Sequence, residues 1–415
     1  MSEQAVLFTL DAAAIAAAAK AAAVAGVRID VYGDLAEVEG VWRAFETTAA
    51  FTPFQSFDWL AKWQGAVGSR RATRPAIVVG RDAAARPLFI LPLAIDRRRG
   101  LRRLTWLGSS LSDYNAPLLA PGFAATLPPH GFVTLWRQIV RALRAEGRFR
   151  FDYADLQKMP ETIGGEPNPF LDLAVRGHPS GAHAATLSGT WETFYAGRRS
   201  PATRKTDRKK RRRIAEHGEI RLVEPVGAVE RERTLEALFR QKAHTFARMG
   251  IGNFLTTPGI TDFYRSIAAD PAMRDLIHFS RLEVGSEIAA VAVGLQHEGR
   301  YYLVLSSYHD GVLAQFGPGL VHLHELIARA IDRGFTLFDF TVGDEAYKLD
   351  WCDVEIHLHD HLAAGTIVGW PMVAAILAFR RAKRLIKQSP LLWRTFSAAR
   401  AVLLRRRQAP VADQG

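Results

Sequence analysis

The feature that most constrains this chain is an internal repeat. Residues 141–156, RALRAEGRFRFDYADL, and residues 329–343, RAIDRGFTLFDFTVG, both read helix, glycine, strand, with a Phe-Asp-aromatic triplet inside the strand. Each closes a segment of strand, turn, strand and amphipathic helix. In the first segment the strands are PAIVVG and PLFILPLAI and the helix is FVTLWRQIVRALRAEG; in the second, GLVHLHELIARAIDRG is the helix. A helix with one apolar stripe must bury it against another layer, so each segment needs its own sheet. The expected class is α/β (α+β). Two tandem modules, each a mixed twisted sheet flanked by helices, span roughly 30–175 and 185–362, joined through the Gly/Pro-rich stretch from ETIGGEPNPF onward. Residues 1–29 form an Ala-rich tail, and 363–415 form an apolar, then basic amphipathic, helical tail. A length of 415 residues suits two such units.

Charge is concentrated. The formal net charge is +12, yet residues 198–213 hold ten Lys/Arg against one Asp, and residues 361–412 hold ten with no acid. The remaining body is mildly acidic. The first run is expected to form a long exposed helix, able to meet nucleic acid, anionic lipid or a phosphorylated donor. The second follows an uncharged run of 18 residues, 362–379, interrupted by Gly365, Gly369 and Pro371. Its readings are a helix lying in an anionic membrane surface through 380–407, packing on the body, or a span. The single cysteine, Cys352, excludes a disulfide framework and fits a cytoplasmic chain, with possible peripheral attachment to the inner membrane face.

Chemistry gathers where the repeat ends. FTLFDF is a buried strand by pattern, Gly343 lets the backbone turn, and Asp344, Glu345, Tyr347, Lys348 and Trp351 follow. In α/β sheets ligands sit beyond the carboxyl ends of strands. Lys348 is placed to hold an oxyanion or phosphate, with Asp344 or Glu345 orienting it or accepting a proton. Upstream, Gly317 and Gly319 precede a helix, where free N–H groups and the helix dipole suit an anion. In the first module Asp113 and Tyr114, near Asn115 and Pro117, could line an acceptor groove. Trp59 and Trp63, four apart on one helix, read as core. Ser56 or Asp58 is the expected N-cap of that helix, and Gly147 the glycine ending the helix before it. His322 and Glu325 read as a surface pair. His357, His359 and His361 share a strand face, but no metal is expected there. Cys352 reads as a buried structural thiol.

The order strand, QFGPG, helix, glycine, FDFTVGDEAYKLDW resembles the GNAT acetyltransferase superfamily. More closely, it resembles the CelD-like branch linked to cellulose and exopolysaccharide biosynthesis, itself similar to FemAB-type aminoacyl transferases. TPFQSFDWLAKW and GSSLSDYNAPLL look like that branch's N-terminal signatures. The resemblance covers about residues 30–360. It implies an acyl-CoA donor held at Gln315, Gly317, Gly319 and Leu320, with Tyr347 and Lys348 steadying the carbonyl oxygen. The acceptor would be an amine or hydroxyl of a saccharide or envelope precursor. Tyr308, Asp339, Gly343 and Trp351, with Asp113 and Tyr114, would flank the substrates. The loop Gln315–Gly319 is one residue shorter than the superfamily's usual signature. That leaves open a non-catalytic scaffold in envelope-polysaccharide assembly, or a FemAB-like transferase drawing on aminoacyl-tRNA.

Overall fold

The structure is a computed structural model and describes residues 26–388. Among the described residues fifteen strands build two main sheets, fourteen of them in the two main orders. They are β1 (Arg28–Tyr32), β2 (Arg74–Arg81), β3 (Pro87–Arg98), β4 (Leu101–Trp106), β5 (Tyr153–Pro160), β6 (Val175–Gly177), β7 (Ala182–Thr186), β8 (Ile220–Val223), β9 (Ile277–Val284), β10 (Glu287–His297), β11 (Arg300–Tyr308), β12 (Leu337–Val342), β13 (Val354–Ile356) and β14 (Leu358–Ala364). The first sheet runs β1-β2-β3-β4-β5-β14-β6, with the short Leu118–Leu119 strand also on β3. The second runs β8-β9-β10-β11-β12-β7-β13.

The two orders match position by position, which is the repeat seen in the sequence. The second sheet comes from one contiguous stretch, 182–356, but the first does not. β14 follows the second module in sequence, yet it pairs with β5 of the first. The expected end of the second module at 362 therefore falls inside a strand of the other sheet. β7 takes the equivalent place beside β12. Both of these pairings are bulged, and a left-handed residue stands at each bulge: Lys158 on β5 (φ 58°) and Thr341 on β12 (φ 57°). For a β-branched threonine that conformation is costly, on the order of 1–3 kcal/mol, and it persists only where surrounding contacts impose it.

The flanking helices are α1 (Glu39–Glu46), α2 (Phe57–Trp63), α3 (Gly131–Ala145), α4 (Trp191–Arg198), α5 (Pro201–Ala215), α6 (Ala228–Met249), α7 (Ile260–Ala269), α8 (Pro318–Asp332), α9 (Ala346–Leu349) and α10 (Gly369–Gln388). One apolar core runs across the module boundary: Trp42, Trp59, Trp63 and Tyr114 of the first module share a cluster with Phe263, Tyr264 and Tyr302 of the second. Trp59 and Trp63 are core residues, as their spacing implies.

Several local expectations change. The basic run is two helices rather than one, because Pro201 at N1 and Ser200 as N-cap start α5 afresh after α4. Ser56 is the N-cap of α2 by position, but its hydroxyl donates to the Pro53 carbonyl; the Glu46 carboxylate accepts the Phe57 N–H instead. Gly147 opens a short 3₁₀ turn rather than ending α3 in a left-handed cap. Gly334, at φ 75°, does close α8 that way. α10 packs on β14 and β5. Its Arg380 donates to Asp155 at 2.9 Å and Asp360 at 3.2 Å, and Gly369 lies so close to the Asp152 carbonyl that no Cβ would fit. Among the described residues no helix is long and apolar enough to cross a membrane. The basic residues of 389–407 lie outside the described residues.

Candidate active site

The second sheet opens where the strand-end argument places a ligand. β11 and β12 pair in parallel only at Arg300–Leu337, Tyr301–Phe338 and Tyr302–Asp339. Beyond Tyr302 they part, and the edge of β11 that faced β12 has no strand partner. A cavity of about 430 Å³ fills the gap. Leu303, Leu320, Leu323 and Leu326 give it an apolar wall; Gly317, Gly319, Tyr308, Tyr347 and Trp351 complete its mouth and end. Six candidates from separate parts of the sequence, Leu320 among them, thus meet around one cavity.

The glycine loop is built for close approach. Gly317 is left-handed (φ 71°) and caps α8, and Pro318 occupies the first helical position, where its missing N–H costs nothing. A Cβ on Gly319 would sit 3.1 Å from the Tyr308 ring. Gln315 does not join the cavity lining; it is exposed, and its amide donates to the Val312 carbonyl at 3.2 Å, closing its own turn. Trp351 is buried and packs face-to-face with Tyr195 at 6.2 Å and Phe194 at 6.4 Å, with the Arg199 guanidinium over it at 5.1 Å. Arg199 itself lines the cavity and ties α4 to Asp350. Burial lowers the Lys242 ammonium pKa on one wall. His322 is no surface residue: it is buried, hydrogen-bonds Ser280 at 3.0 Å, and burial pulls it down to about 3, so it is neutral. Its expected partner Glu325 pairs with Arg211 instead.

The strand-end cluster is divided among different tasks. Lys348 is buried, and its ammonium spends its three protons on the Thr341 carbonyl (3.2 Å), the Val342 carbonyl (3.2 Å) and Glu345 (2.9 Å). It pins α9 onto the strained end of β12. Asp344 is half exposed, accepting the Gly181 N–H at 3.3 Å and lying 3.8 Å from His183. Gly343, at φ 137°, supplies the turn between them. Cys352 is half-buried, and burial pushes its thiol up to about 12, so it carries no thiolate.

Asp339 and Tyr114 meet across the module boundary. The Tyr114 hydroxyl stands 2.9 Å from both oxygens of the fully buried Asp339 carboxylate. The same carboxylate takes the Thr341 N–H at 2.7 Å and an N–H of Arg300. Both Tyr114 and Arg300 also line a smaller cavity of about 270 Å³ between the modules. Asp113, the neighbour of Tyr114, reaches toward Thr341 and Lys348, 3.7 Å from the Lys158 ammonium. Burial raises its carboxyl pKa, although Lys158 pulls the other way. The histidine-rich strand is tied up in structure: His361 bonds the Ala174 carbonyl at 3.1 Å, and His359 meets Glu161 at 3.1 Å. Among the described residues no three His, Cys, Asp or Glu side chains are grouped to hold a metal.

Sequence reasoning missed Lys242, Arg199, Leu323 and Leu326 as cavity residues. Helical spacing marks the leucines as core, and only the parting of β11 from β12 turns part of that core into a wall.

Two splayed mixed sheets, a glycine loop at a helix start and an apolar cavity between the parted strands define a tandem GNAT-type fold. In agreement, residues 201–349 match a family described as an acetyltransferase (GNAT) domain, so the second module carries such a domain. FemX superimposes with a TM-score of 0.54 at 8% identity, over 84% of this chain and 99% of that one. A conserved protein from Bacteroides thetaiotaomicron VPI-5482 gives 0.51 at 10% identity, over 81% and 100%. Both likenesses are to the fold. No curated protein matches the sequence.

Proposed function

We propose that the protein is an acyltransferase that takes an acyl group from acyl-CoA and delivers it to an amine or hydroxyl of a saccharide or envelope precursor, as in the CelD-like branch. The observation that carries this reading is the cavity between β11 and β12, with Gly317–Gly319 at its mouth. At the start of α8 it offers the Gly319 N–H, which has no backbone acceptor, and the positive end of the helix dipole for phosphate. An unpaired edge of β11 can bond an extended amide-bearing arm, and apolar walls can take an acyl chain.

In the transfer the acceptor's O–H or N–H gives its proton to Asp113 as the new bond forms to the thioester carbonyl. Asp113 suits that task better than Asp344 or Glu345, because burial brings its pKa toward neutrality while those two are half exposed. The C–S bond then breaks and the thiolate leaves through the open mouth of the cavity, beside Tyr347, where it takes a proton from water. Alignment by the two modules provides much of the acceleration. Lys348 acts by holding the end of β12 in shape. Release of free CoA thiol with amino sugars and neutral or acidic sugars as acceptors tests the reading. Asp113→Asn should lower kcat at least a hundredfold with little change in donor KM; unchanged kcat removes Asp113 as base.

A second reading, transfer from aminoacyl-tRNA, is favoured by one observation: α5, with its exposed Lys and Arg, packs on the Val312–Phe316 turn of the glycine loop and on α8. It predicts salt-dependent tRNA binding that weakens when Lys209 and Arg212 are made neutral. A scaffold without activity would bind neither donor.

A further inference from the structure

The first module has a gap at the topological place of the donor cavity, and it is lined by opposite chemistry. β4 and β5 pair in parallel only at Arg103–Tyr153 and Leu104–Ala154, then part, as β11 and β12 do after Tyr302–Asp339. Lys158 and Thr341 hold the same left-handed bulge position beside the two gaps. The second gap is walled by leucines. The first is a cavity of about 500 Å³ faced by Arg71, Arg97, Arg98, Arg103 and Lys158, with Asp96 as its one carboxylate. Arg103 is committed to Asp96, its Nε donating at 2.9 Å. Among the described residues Arg71, Arg97 and Arg98 have no carboxylate within ion-pair distance, although they line the same concavity. Trp63 and Trp106 supply flat apolar wall beside them.

Several guanidinium groups around one cavity repel one another until an anion sits among them, and their forked donors suit carboxylate or phosphate. We propose that this cavity binds an anionic saccharide, one bearing a phosphate or carboxylate, and that this ligand is the acceptor. The acceptor half rests on the reading of Asp113 as base; the binding half does not. The link between the two sites is Lys158. It lines the cavity, its ammonium donates to the Ser112 carbonyl at 2.7 Å, and it stands 3.7 Å from Asp113. A sugar anchored by its anion among the arginines thus presents a hydroxyl or amine near Asp113, between the parted strands of both modules.

Calorimetric titration with glucose 1-phosphate, glucuronate and glucose tests the site in wild type, in Arg71→Ser/Arg98→Ser, and in Arg208→Ser/Arg212→Ser. The third protein loses the same charge from α5, away from the cavity. The expected result is binding of at least one anionic sugar and not of glucose. Affinity should fall at least tenfold in the first variant and less than twofold in the second. Which sugar binds tells phosphate from carboxylate. Equal weakening in both variants, equal binding of glucose, or no binding of either anion overturns the site. Stabilisation of Arg71→Ser/Arg98→Ser by acyl-CoA reports separately on the donor cavity, so failure there leaves this site standing. If the anionic sugar binds as expected but never raises thiol release with any acyl-CoA that binds, the acceptor role is wrong.

Discussion

Tyr114→Phe tests whether the two modules are locked through one buried carboxylate. Asp339 has no exposure, and three donors serve it: the Tyr114 hydroxyl, the Thr341 N–H and Arg300. Removing the hydroxyl leaves the carboxylate charged, buried and one donor short. A hydrogen bond to a charged group contributes about 1.5–3 kcal/mol, so Tyr114→Phe should destabilise by that amount. Asp339→Ala is harsher, because it strands the Arg300 cation against the Tyr302 ring at 4.9 Å; breaking a buried pair from one side costs about 3–5 kcal/mol. The double variant should lose about 1–3 kcal/mol less than the sum, since each change removes the same contact. Urea unfolding followed by circular dichroism and tryptophan fluorescence reads this as midpoint shifts at constant slope. A loss under about 0.5 kcal/mol for Tyr114→Phe, or strict additivity, would refute the lock.

Glu46 carries a pH dependence. Burial raises its pKa from 4.5 to about 7, against the opposing Phe57 N–H. A carboxyl raised in the folded state contributes stability below its unfolded pKa and loses it as pH climbs through the folded one. Stability should therefore fall by about 1–3 kcal/mol between pH 4.5 and 7.5, and Glu46→Gln should flatten that part of the profile in pH-resolved thermal melts. Lys348→Met should cost about 2–3 kcal/mol by leaving the Thr341 and Val342 carbonyls without their shared donor, and urea titration will show it even in the absence of substrates. Arg380→Ala should loosen α10 and speed amide hydrogen exchange over 369–382 while exchange in β12 stays unchanged.

The sequence disclosed the repeat because helix-glycine-strand punctuation is local, and it marked several residues of the cavity because glycines and aromatics at a strand end are local too. Gly317, Gly319, Leu320, Tyr308, Tyr347 and Trp351 do share one cavity. What it concealed depends on pairing between distant segments. Nothing in LHDHLAA says that β14 completes the first sheet rather than the second. The resemblance puts Asp339 beside the substrates, but its carboxylate bonds Tyr114, 225 residues away. Glu345 beside Lys348 is readable from their spacing, but the Thr341 and Val342 carbonyls that take its other two protons depend on how α9 folds back on β12. The arginine-lined gap went unseen because its cations come from the α2–β2 connection, β3, β4 and β5, and no short window contains them.

The central claim is that the cavity between β11 and β12 holds the acyl donor at the glycine loop. Thermal unfolding against CoA, acetyl-CoA and longer acyl-CoAs, in wild type and Gly319→Trp, addresses it directly. A ligand that binds only the folded protein raises the midpoint with concentration, by about 2.7 kcal/mol of stability at a hundred times its Kd. The indole would displace the Tyr308 ring and fill the mouth. The account predicts a rise for at least one thioester in wild type and none in Gly319→Trp, with both proteins melting cooperatively. No rise with any thioester, or an equal rise in both proteins, would contradict it.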